Sequence, residues 1–171
     1  MTVSTRIAVV AVGDRYRHDD GIGRAVLSRM REHLADRPLP PGTVLAESDV
    51  DPGQLIRLWD HAELAVVLEP AHTRPEPPRP HPPTGAEHRR TLEARHDAPE
   101  RLGEAVEVAR QVNRLPRHLV AYAVETSATS FGEGLSEPVA VKVDFLAELV
   151  ESEIVQHRVA ATQIAVDQEA A

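Results

Sequence analysis

The chain has 171 residues, enough for one domain, and its 42% apolar and 27% charged residues are a globular balance whose 3% aromatic share predicts an aliphatic core. With 27 acidic against 19 basic residues and a formal charge of -8, nucleic acid is excluded as a partner, because phosphate binding draws on clustered Lys and Arg. No cysteine is present, which excludes disulfides, thiolate catalysis and thiolate-held metals, so any metal site must use His and carboxylates.

The opening MTVSTRIAVVAVG lacks an apolar run of signal-peptide length, and no segment approaches the roughly 20 apolar residues of a membrane helix. A soluble cytoplasmic protein with no membrane partner is expected, as a monomer. Residues 6–12 (RIAVVAV) are mostly β-branched and uninterrupted, the pattern of a strand buried on both faces of a parallel sheet. From Gly21, Ile22, Val26, Met30 and Leu34 recur every four residues and predict a helix ending near Asp36, ahead of Pro38, Pro40 and Pro41. TVLAES, from Thr43, predicts a short strand, and Asp51-Pro52 predicts a helix with an acidic N-cap, Pro at the first helical position and Leu55, Ile56 and Trp59 on one side.

Residues 63–69 (ELAVVLE) predict another buried strand. The six prolines between Pro75 and Pro83 then predict a surface excursion of polyproline character. HRRTLEARHD reads as a polar edge strand, and PERLGEAVEVARQVNRL as a helix opened by Pro99 with Leu102, Val106, Ala109 and Val112 or Asn113 on its packed side. HLVAYAV (118–124) predicts the last strand, followed by the loop ETSATSFGEGL. Ser136-Glu137-Pro138 then caps a helix carrying Val139, Val143, Leu146, Ala147 and Val150. The pattern decays beyond about Gln156, so a single domain over 1–155 and a C-terminal tail of disordered character over 156–171 are expected. Alternating strands and helices predict a three-layer α/β sandwich around a mostly parallel, twisted sheet of about five strands.

In such sheets the ligand site lies at the carboxyl ends of the strands, where GDRYRHDDGIG (13–23), Glu69 and ETSATSFGEG should meet. Neither GxGxxG nor a Walker loop is present, and an acidic pair stands where a phosphate would dock, which argues against nucleotide binding. One aspartate suffices for capping the helix or holding the loop, a role assigned to Asp19; Asp20 is assigned to the cleft, as a candidate metal ligand beside Glu69. Glu69 could equally be an exposed strand-end acid. His18, His72, His81 and His88 fall in polar segments and read as surface residues, whereas His96 precedes a helix and is a weaker candidate on spacing alone.

GDRYRHDDGIG-RAV resembles the GNxxxxDDGxG signature of the [NiFe]-hydrogenase maturation proteases, endopeptidases that trim the C-terminal extension of the hydrogenase large subunit after nickel insertion. Three further blocks resemble that family in order: DHAELAVVLEPA (60–71), RLGEAVEVARQVNRLPRHLVAYAVE (101–125) and FGEGLSEPVA (131–140). The resemblance covers roughly residues 6–150. It implies that Asp20, Glu69 and His96 are the nickel-contacting and catalytic residues, an O, O and N set suited to divalent nickel. It also implies that the large-subunit precursor is the partner, that the precursor supplies the nickel as a sign of completed insertion, and that water attacks directly, since no Ser–His–Asp or Cys–His arrangement is evident.

Three departures stand against the family pattern: Asp14 replaces Asn, Glu69 replaces Asp, and the segment after His96 is about two residues longer. A divergent paralogue that binds hydrogenase maturation partners without cutting them is the alternative. A phospho-receiver-like signalling domain is disfavoured, because its acceptor must be Asp and a Lys is expected where this chain has Val124-Glu125.

Overall fold

The computed structural model describes residues 6–49, 51–72, 90–91, 100–126, 128 and 130–169. Five strands form one sheet in the order β2-β1-β3-β5-β4, with β1 at Ile7–Val12, β2 at Thr43–Ser48, β3 at Leu64–His72, β4 at Arg90–Thr91 and β5 at His118–Thr126. β2, β1, β3 and β5 are parallel; the two-residue β4 runs antiparallel to β5 and is the described part of the expected edge strand. The proline-rich segment 75–83 lies outside the described residues.

Period-2 alternation sorts the central strands onto two cores. Ile7, Val9 and Ala11 of β1, with Leu64, Val66 and Leu68 of β3, pack under α1 (Ile22–His33) and α5 (Val143–Glu169). Ala8, Val10 and Val12, with Ala65 and Val67, pack under α2 (Pro52–Trp59) and α3 (Glu100–Gln111). Every residue of β1 is buried, as a strand covered on both faces must be, and each fully buried aliphatic side chain contributes about 1.5–3 kcal/mol over its exposed state.

The local signals act largely as their chemistry predicts. Asp51 caps α2, its carboxylate accepting from Gly53 N at 3.0 Å and Gln54 N at 3.2 Å. Trp59 closes that helix fully buried, donating its indole N–H to Arg114 O at 3.1 Å.

Other details differ. Leu34 lies past the end of α1 and is exposed. On α3 the buried residues are Leu102, Ala105 and Ala109, while Val112 is exposed because the helix has ended and Asn113 turns the chain in a left-handed conformation, φ 55. The helix expected after Ser136 is two: a single turn, α4 (Glu137–Ala140), and then α5, which continues through Glu169 where a tail was expected. Over residues 157–164 its side chains are mostly exposed, which is why the apolar periodicity fades although the helix does not.

Candidate functional site

β1 ends at Val12, and the chain crosses to α1 through a loop and a 3-10 turn, His18–Gly21. Gly13 makes the crossing possible: its φ is +147, and a Cβ there would stand 2.1 Å from the Asp20 carbonyl oxygen and 3.5 Å from Pro70 Cδ. Asp20 and the Glu69-Pro70 step therefore both close on one glycine. Gly23, one turn on, lets α1 press against the strand ends, with Ala11 Cβ and Leu68 O at 3.0 and 3.1 Å from the position of an added Cβ.

Both acids at this edge are buried, Asp20 at 3% and Glu69 at 2% exposure, so the reading of Glu69 as an exposed strand-end acid is corrected. Glu69 is not terminal either, because β5 runs on to Thr126 and carries β3 with it as far as His72. Pairing between β1 and β3 stops at Ala11↔Leu68, so Glu69 is the first residue of β3 beyond its β1 neighbour. Pro70, without an N–H, is tolerated where the strand has lost that partner. Glu69 follows Ala65 and Val67 in alternation and so belongs to the sheet face covered by α2 and α3. His96 lies outside the described residues, in the segment leading to α3. Among the described residues no three His, Asp or Glu side chains surround one point; Asp20 and Glu69 supply two hard oxygen donors, compatible with a borderline divalent ion.

Asp19 has a different role from its neighbour. It is fully buried, and Gly21, not Asp19, occupies the N-cap of α1. Its carboxylate instead accepts from Ala128 N at 2.9 Å, Ser136 N at 2.7 Å and Ser136 Oγ at 2.9 Å. Ser136, expected to cap a helix, stands at the N-cap of α4 but makes no side-chain cap bond, its hydroxyl being directed to Asp19.

The two loops are joined further by backbone. Asp19 N donates to Ala128 O at 3.0 Å, His18 N to Gly132 O at 2.8 Å and Gly132 N to Tyr16 O at 2.7 Å, around a bridge between Arg17 and Gly132. His18, expected at the surface, is half-buried, with Nδ1 3.0 Å from Gly134 O. At the rim, the rings of Tyr16 and Phe131 stack with centroids 6.5 Å apart, and Phe131 remains 81% exposed.

Asp14 accepts from Tyr16 N at 2.9 Å, a local turn bond that an Asn oxygen would make equally well, and its charge faces Arg17 at 3.7 Å. Arg24 was missed by sequence reasoning. It reaches from α1 to Glu47, to Asp49 at 2.8 Å and to Gly13 O at 3.4 Å, tying the helix start to the end of β2. Only its place in the RAV that follows the glycines hinted at it.

The fold is shared with solved peptidase structures. The hydrogenase maturating endopeptidase HybD from E. coli superimposes with a TM-score of 0.71 at 16% identity, over 90% of this chain and 94% of that one. A solution structure of an endopeptidase from Escherichia coli gives 0.64 at 18% identity, over 85% and 90%. A [NiFe] hydrogenase maturation protease, HycI from Thermococcus kodakarensis KOD1, gives 0.55 at 21% identity, over 91% and 95%. The chain therefore has the fold of the hydrogenase maturation proteases. No protein-family model matches it, and no curated protein is significantly similar in sequence.

Proposed function

We propose that this protein is an endopeptidase that removes the C-terminal extension of a [NiFe]-hydrogenase large-subunit precursor after nickel insertion. The observation that carries this reading is the burial of Asp20 and Glu69 around Gly13 at the carboxyl edge, on a fold shared with solved proteases of that kind. Carboxylates buried together at the carboxyl ends of a sheet's strands are candidates for a chemical task. Nickel belongs to the precursor, as part of the substrate, with Asp20, Glu69 and His96 as the residues that contact it. Hydrolysis then needs one carboxylate to take a proton from water as its oxygen adds to the scissile carbonyl carbon; the carbon–nitrogen bond breaks and the leaving nitrogen takes a proton.

Glu69, one methylene longer than the aspartate of the related signature, favours the second reading, a paralogue that binds the precursor without cutting it. One experiment separates the two: a nickel-loaded, C-terminally extended large subunit is incubated with the protein and followed by intact mass. Loss of the extension with wild type and not with Asp20→Asn supports the protease. A stable complex with an intact extension supports the paralogue.

A further inference from the structure

The two acids of the DDG turn are both buried, and the Asp19 carboxylate bonds residues 109 and 117 positions later in the chain. A loop could be held by backbone bonds alone, and this one already has them at Tyr16, His18 and Asp19. A buried carboxylate adds three acceptor bonds that are charge-assisted and stronger than neutral ones, and it leaves three donors stranded if removed. The next residue in the chain is Asp20, whose backbone N–H donates to Arg17 O at 3.0 Å within the same turn, and whose carbonyl is pressed against Gly13.

From this geometry we infer that Asp19 is a positioning residue: by binding Ala128 and Ser136 it makes the turn 14–20 one unit with residues 128 and 130–136 and thereby fixes the orientation of Asp20. The inference rests on the cleavage reading for its kinetic measurement and on the fold alone for its second. Any rotation of the turn moves Asp20, and displacement of a reacting group by about 1 Å can cost a hundredfold in rate. The serine hydroxyl supplies one of the three bonds, so the effect should be graded: small for Ser136→Ala, larger for Asp19→Asn, which turns an N–H2 toward donors that need an acceptor.

The test pairs cleavage kinetics on the nickel-loaded precursor with hydrogen exchange on the full chain. Asp19→Asn is expected to lower kcat by about tenfold or more with KM within about twofold, and to speed exchange both at Ala128 and Ser136 and in the turn 17–22. Faster exchange confined to 128–136, with kcat unchanged, would overturn the inference and leave a merely structural tie. Unchanged exchange in both segments would overturn it too. Should Asp19→Asn fail to fold, Ser136→Ala is judged by the same two-segment criterion. If wild type itself does not cleave while exchange rises in both segments, the protease reading fails and the positioning role stands.

Discussion

The two edges of the sheet are built on opposite terms. At the carboxyl edge the acids Asp19, Asp20 and Glu69 are buried, and two loops are joined by backbone and side-chain bonds. At the amino edge charge stays near water: Arg117 meets Glu63 at 3.4 Å with its own side chain 74% exposed, and His118 lies 4.0 Å from the same carboxylate. The amino edge nevertheless holds a cavity of about 550 Å³ between α3, β5 and α5, with Leu64, Val106 and Leu119 among its walls and His118 and His157 at its side. The proposed function puts the reaction at the edge with the desolvated acids and not at the open cavity with its screened ion pairs.

That contrast can be broken by substitution. Gly13→Ala should have the largest effect, a destabilisation of roughly 3 kcal/mol or more, because a methyl group would overlap the Asp20 carbonyl in a backbone conformation that L residues rarely adopt; chemical denaturation would measure it. Glu69→Gln keeps the shape and removes the charge, so a loss of cleavage of about a hundredfold is expected in single-turnover assays, with the melting temperature little changed.

The amino edge should respond weakly. His157 is held below its ordinary value of 6.5 first by burial and then by His118, with Arg158 adding to the shift and Glu63 and Glu153 opposing it; among the described residues its Nε2 is buried without a hydrogen-bond partner. A lowered histidine binds fewer protons folded than unfolded, so its contribution is intact above about pH 6.5 and is lost as pH falls below that value. His157→Gln should therefore flatten the fall in melting temperature between about pH 7 and 5.5. Arg117→Ala should change stability by no more than about 0.5 kcal/mol and leave cleavage unaltered.

Most of the scaffold was legible because its signals are local. The uninterrupted apolar run of β1, the Asp51-Pro52 start of α2 and the short strand run TVLAES each draw on a handful of adjacent residues. The site was legible only in part. The sequence could place Asp19, Asp20 and Glu69 at one edge and give Asp19 a capping or loop role, but it could not name the partners of Asp19, which lie more than a hundred residues away. For the same reason Ser136 looked like a cap, and β3 seemed to stop at Glu69 when its neighbour β5 carries it three residues further.

The sole tryptophan of the chain, Trp59, sits in the α2–α3 core with its indole bonded to Arg114, at the sheet edge away from Asp20. Its emission is accordingly a built-in optical gauge of global unfolding, insensitive to what docks among the acids, so every variant at the carboxyl edge can be checked for integrity by fluorescence without adding a dye.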